Sequence, residues 1–105
     1  MQNVTPEQLQ QKMASGTKPE IIDVRDPWEF ETCRIEGSIN IPMSDIVSHQ
    51  DRLDRHTEKV IICHHGMRSL QVALYLESVG FASVINLEGG IDSWARTIDL
   101  DMPVY

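Results

Sequence analysis

Short apolar runs alternate with longer amphipathic ones along this chain. Glu20-Ile21-Ile22-Asp23-Val24 is brief, apolar and β-branched, which predicts a buried strand. Lys59-Val60-Ile61-Ile62 is the clearest central strand, and Val84-Ile85-Asn86-Leu87 is a further one. Ser38-Ile39-Asn40-Ile41-Pro42 predicts a short strand stopped by proline. Helical patterns lie between these runs. Thr5 can cap a helix, Pro6 suits its first position, and Gln8 can reach back to close a capping box. Leu9 and Met13 supply its buried stripe, and Gly16 ends it. Asp26-Pro27-Trp28-Glu29 repeats the cap, proline and acid pattern. Ser44 to about Leu53 predicts a helix with Ile46, Val47 and Leu53 inward, although residues 44–57 fit a strand as well. Leu70, Val72, Ala73, Leu74, Leu76 and Val79 make a wide apolar helix face, with Gly80 at its end. Gly89-Gly90 leads into a last helix that holds Ile91, Trp94 and Ile98. Strands alternating with helices predict an α/β fold, with a parallel sheet covered by helices on both faces.

Composition narrows the class. At 105 residues and 41% apolar, the chain has core enough for one domain, taken as residues 1–105. It has no repeat, low-complexity tract or linker. A net charge of −7 argues against a nucleic-acid partner, which calls for a basic face. The first residues carry no basic, apolar leader, and no apolar run approaches the roughly 18 residues of a membrane span. Two cysteines, Cys33 and Cys63, exclude a disulfide framework and a four-thiolate zinc site. The expectation is a soluble, cytoplasmic protein with free thiols. Met1 and the absence of a linker favour a complete small protein.

The chemistry concentrates in Cys63-His64-His65-Gly66-Met67-Arg68-Ser69, between the best strand and the best helix. Ligands of open α/β sheets bind at the carboxyl ends of strands, which is where Cys63 falls. Free N–H groups at the start of the next helix favour an anion there. A tight loop with Gly66 can curl further N–H groups inward. Arg68 can add a fixed positive charge, and His64 and His65 a partial one near neutral pH. All of this favours thiolate over thiol at Cys63. The competing reading is that Cys63 is simply a small apolar residue ending a strand. Metal binding by the paired histidines is set aside, because neighbouring loop positions rarely converge on one ion and no third ligand lies close in sequence.

These residues resemble the single-domain rhodaneses, a family of sulfurtransferases, over nearly the whole chain. Asp23-Val24-Arg25-Asp26 with Glu29-Phe30 is similar to the family's first signature, and Ile35 to Pro42 to its second. Cys63 to Arg68 resembles its active-site loop, and Leu87-Glu88-Gly89-Gly90-Ile91-Asp92-Ser93-Trp94 its C-terminal signature. The resemblance implies a rhodanese-like domain with a mostly parallel five-stranded sheet. It also implies a thiosulfate sulfurtransferase, with Cys63 as the catalytic residue that carries a persulfide. His64, His65, Gly66, Met67, Arg68 and Ser69 would then bind substrate. Related phosphatases and arsenate reductases use a loop one residue longer, so the spacing from Cys63 to Arg68 suits sulfur rather than phosphoryl transfer. Cys33-Arg34 stands where many relatives have Gly-His, and Cys33 is expected to be a bystander thiol on a loop.

The implied partners are a small anionic sulfur donor such as thiosulfate and a thiol or dithiol acceptor. No cofactor or metal is called for. The alternatives are a persulfide carrier serving cofactor or tRNA sulfuration, and a non-catalytic interaction module of the same fold. Asp23 and Arg25 are expected to form a structural pair near the site, with Glu29 as a further partner of Arg25, ahead of a catalytic role. Trp28 and Trp94 are expected in the core. Gly89-Gly90 fits either an anion cradle or a tight turn. Because the loop from Cys63 to Ser69 holds no acid, its local field is expected to oppose the global charge.

Overall fold

The computed structural model describes residues 1–16 and 18–105. Five strands, β1 (Gln2–Val4), β2 (Glu20–Asp23), β3 (Ile39–Asn40), β4 (Lys59–Ile62) and β5 (Val84–Leu87), form one sheet in the order β1-β5-β4-β2-β3. Every pairing is parallel. Five α-helices connect them: α1 (Pro6–Ala14), α2 (Pro27–Thr32), α3 (Ile46–His49), α4 (Met67–Ser78) and α5 (Gly90–Thr97). None is long and apolar enough to cross a membrane.

Side-chain alternation along each strand feeds two cores. Ile21, Val60, Ile62, Ile85 and Leu87 pack with Leu9 of α1 and Ile91 and Trp94 of α5 on one face. Ile22, Ile61 and Val84 pack with Val72, Ala73 and Leu76 of α4 on the other, joined by Ile46 of α3. Burial of each such Ile or Leu is worth about 1.5–3 kcal/mol. The first helix begins as its sequence dictates. Thr5 accepts from the Gln8 N–H, and the Gln8 side chain accepts from the Thr5 N–H.

Four local expectations change. The edge strand β1 has no apolar run to announce it; only Val4 is buried, and its backbone pairing with β5 makes the strand. Residues 43–52 form a 3₁₀ turn, the short α3 and a second 3₁₀ turn rather than one helix. That broken geometry leaves Val47 exposed while Ile46 stays buried. On α4, the inward arc takes Val72, Ala73 and Leu76 and leaves Leu74 outside. Trp28 is 59% exposed, because the six-residue α2 turns Glu29 inward in its place. Trp94 lies in the core, as expected.

Candidate active site

Strand β4 runs up the middle of the sheet and delivers Cys63 at its carboxyl end. The Cys63 residue is buried, with 1% of its surface exposed. Two polar groups meet its sulfur: the Gly66 backbone N–H donates at 3.1 Å, and the Ser69 hydroxyl lies at 3.2 Å while also reaching Asn86 Oδ1 at 2.5 Å. Gly66 holds φ at +100°, a conformation that costs a residue with a Cβ. That turn points its N–H back at the sulfur and starts α4 immediately afterwards.

The β5–α5 turn closes on this loop from the side. A Cβ on Gly90 would lie 2.4 Å from the Cys63 carbonyl oxygen and 2.5 Å from that of His64. The N–H groups of Ile91 and Asp92 donate to those two carbonyls, at 2.8 and 3.1 Å. Gly89-Gly90 therefore serves close backbone packing, and the N–H groups after it are taken up by the loop rather than offered to an anion.

Arg68 does not stand free over the sulfur. Its two terminal nitrogens donate to the two Glu29 oxygens at 2.8 and 2.9 Å. This corrects the expected pairing of Glu29 with Arg25. Arg25 instead grips Asp23 through Nε at 2.9 Å and Nη2 at 2.7 Å, and donates to the Cys33 carbonyl at 2.5 Å. Both members of that pair are wholly buried. Tyr105 joins the two pairs. Its hydroxyl accepts from Arg25 Nη1 at 2.7 Å and donates to Glu29 Oε2 at 2.8 Å.

The electrostatics follow from these contacts. The Arg68 hydrogen bonds, with help from the Asp26 N–H and Tyr105, hold the Glu29 carboxyl down to about 2. Its partner Arg68 is raised by the same bonds. Burial pushes the Tyr105 phenol up to about 12. His64 is stacked between His65, 3.9 Å away, and Tyr105, 4.1 Å away. Burial, and then the neighbouring His65, lower its pKa, which weakens the positive charge expected of it near neutral pH. Among the described residues, its Nε2 is a buried ring nitrogen with no hydrogen-bond partner. The fixed positive charge expected of the loop, Arg68, is thus paired by an acid from elsewhere, Glu29 on α2.

Asp92 also supplies what sequence distance concealed. His64, His65 and Asp92 each bring one possible ligand atom within 4.8 Å of the others. The two imidazoles are stacked at an interplanar angle of 24°, with ring centroids 3.9 Å apart. One ion cannot meet both in plane without breaking the stack. Asp92 is meanwhile paired with Arg96 at 3.1 Å.

The remaining candidates are placed as follows. Met67 is exposed at the start of α4, and Ser69 is buried under the loop. Cys33, foreseen as a loop thiol, is a buried C-cap of α2 and packs in the core opposite to that of Cys63. Both thiols are free. Sequence reasoning passed over three residues near the site. Asn86 could have been noticed as a polar residue inside a buried apolar strand, which must find a partner. Asn3 and Tyr105 carried no comparable signal.

Comparison with known proteins gives the lineage. The model of the Rhodanese-like domain matches residues 5–97. The chain is 36% identical over 104 residues to the probable adenylyltransferase/sulfurtransferase MoeZ of Mycobacterium tuberculosis, covering 97% of this chain and 26% of that protein. It thus spans about a quarter of the length of that relative. It is 31% identical to the thiosulfate sulfurtransferase GlpE of Pseudomonas aeruginosa, covering 95% of this chain and 89% of that protein. Its fold is similar to the crystal structure of SSP1007 from Staphylococcus saprophyticus, with a TM-score of 0.86, 33% identity, and 93% and 97% of the two chains covered. A cysteine at the carboxyl end of the central strand, cradled at the start of α4, sits in a chain that belongs to the rhodanese-like domain family of sulfurtransferases.

Proposed function

We propose that this chain, as one rhodanese-like unit over residues 1–105, transfers sulfane sulfur through a persulfide on Cys63. The carrying observation is the Cys63 sulfur held by the Gly66 N–H and the Ser69 hydroxyl at the head of α4. The Cys63 thiolate attacks the outer sulfur of thiosulfate. The S–S bond of the donor breaks, and sulfite leaves with its electron pair. Cys63 is then a persulfide. An acceptor thiolate, or cyanide in an assay, attacks the terminal sulfur, and Cys63 leaves as thiolate. This is double displacement through a covalent intermediate. The Gly66 N–H and the helix N-terminus stabilise negative charge on sulfur, and His64, His65, Met67 and Arg68 are the residues assigned to meet the donor.

Incubation with thiosulfate should add one sulfur mass to Cys63 by intact-protein mass spectrometry. Cys63→Ser should abolish both this addition and cyanide-dependent turnover while keeping the fold. Turnover by Cys63→Ser would overturn the proposal.

A persulfide carrier is the second reading. It is favoured by the likeness to about a quarter of MoeZ, a protein named for both adenylyl and sulfur transfer. A carrier would take sulfur from a protein persulfide much faster than from free thiosulfate. Comparing those two rates separates the readings.

A further inference from the structure

Asn86 interrupts an otherwise apolar strand, is 4% exposed, and is fully engaged. Its Nδ2 donates to the Gly66 carbonyl at 3.4 Å and to Asn3 Oδ1 on β1 at 3.0 Å. A backbone carbonyl can only accept, so this contact fixes which end of the amide faces it. The Asn86 oxygen is thereby turned to Ser69, whose hydroxyl lies 2.5 Å away. The same hydroxyl lies 3.2 Å from the Cys63 sulfur.

A hydroxyl has one proton to give. With Cys63 as a thiol, every group is satisfied: Ser69 donates to Asn86 and accepts from the S–H. With Cys63 as a thiolate, the sulfur calls for a second donor beside the Gly66 N–H. Ser69 must then swing its proton from Asn86 to the sulfur, leaving a buried amide oxygen without a partner, which is unfavourable. The Gly66 N–H serves the sulfur in both states.

We propose that Asn86, oriented by Gly66 and Asn3, is a positioning residue that competes with the Cys63 sulfur for the Ser69 proton and so restrains ionisation of the nucleophile. No covalent bond forms or breaks; one hydroxyl rotates and the Cys63 proton leaves to solvent. The proposal rests on Cys63 being the reacting sulfur, but its readout needs no sulfur donor.

The test is the pH dependence of iodoacetamide alkylation, followed at Cys63 by peptide mass mapping so that Cys33 does not enter. Arg68 interacts electrostatically with Cys63, and Glu29, Tyr105, His64, His65 and Asp92 are linked to it through Arg68 and His64; all are retained in every variant. Asn86→Leu should move the acid limb of the profile to lower pH, with alkylation at about pH 6 roughly threefold or more faster. In a Ser69→Ala background the same substitution should change nothing. Asn3→Ala should act in the same direction and less strongly. An unaltered or slower rate in Asn86→Leu would overturn the proposal. So would an equal acceleration without Ser69, because the effect would then be merely structural. If Asn86→Leu fails to fold, the strand-favouring Asn86→Val enters the same comparison. Should Cys63 show this pattern yet take no sulfur from thiosulfate, the competition for the proton stands and the donor assignment falls.

Discussion

Arg25 and Arg68 make ion pairs of nearly equal length, 2.7 and 2.8 Å, in very different surroundings. Arg25 and Asp23 are entirely buried, whereas Arg68 is 35% exposed beside a buried Glu29. The first pair has no water to fall back on. Its members sit two residues apart on one turn, and the arginine also carries the Cys33 carbonyl and the Tyr105 hydroxyl. The second pair spans 39 residues and ties α2 to the mouth of the loop. Distance alone cannot rank them; desolvation does. The buried pair holds the structure together, and the half-exposed one keeps water as an alternative partner.

Three experiments test this contrast. The largest effect is expected for Arg25→Ala, which strands Asp23 without its partner. Its stability in urea should fall by about 3–5 kcal/mol. A loss below about 1 kcal/mol would erase the distinction. Arg68→Ala should cost less stability, about 1–3 kcal/mol, since Glu29 keeps the Asp26 N–H and Tyr105. Its thiosulfate kcat/KM should nonetheless fall about tenfold or more, because a fixed cation that interacts with Cys63 is gone. Unchanged turnover would place Arg68 beside Arg25 as a purely structural residue.

The smallest effect concerns acid. Glu29 titrates near 2 in the folded chain, below its ordinary 4.5, chiefly because of the Arg68 hydrogen bonds. Its pairing therefore stabilises fully above 4.5 and is lost progressively as pH falls from there towards 2. Unfolding followed by circular dichroism should show a stability decline in that window. In Arg68→Ala, this contribution should fade at higher pH than in the parent. Superimposable acid profiles would mean that the pair contributes nothing to folding.

Most of the framework was legible because burial leaves a period in the sequence. Ile21-Ile22 and Val60-Ile61-Ile62 announce two-sided burial, and Thr5-Pro6 announces a cap. Gly66 and Gly90 mark turns, although nothing local says that Gly90 touches the Cys63 carbonyl. Cys63 itself was legible from its place between a strand and a helix. What stayed hidden depends on neighbours across the sheet. Backbone pairing makes β1 without an apolar run. The choice of Glu29 between two arginines is decided by where the first turn of α2 lies, a matter of three-dimensional reach. His64 has its expected charge weakened first by burial and then by His65, and it stacks on Tyr105, which no spacing rule connects to it.

The hydrogen bonds around the loop join stretches of chain that are far apart: Asn3 with Asn86 across 83 positions, and Glu29 with Tyr105 across 76. Such contacts form only after most of the chain has closed on itself. A growing polypeptide that has emitted β4 but not β5 owns the Cys63 sulfur without Asn86, Gly90 or Tyr105 around it. The environment of that one thiol is therefore a record of whether the two outer regions of the chain have docked on the central strand. Followed during refolding, its reactivity would serve as a clock for the last assembly step rather than the first.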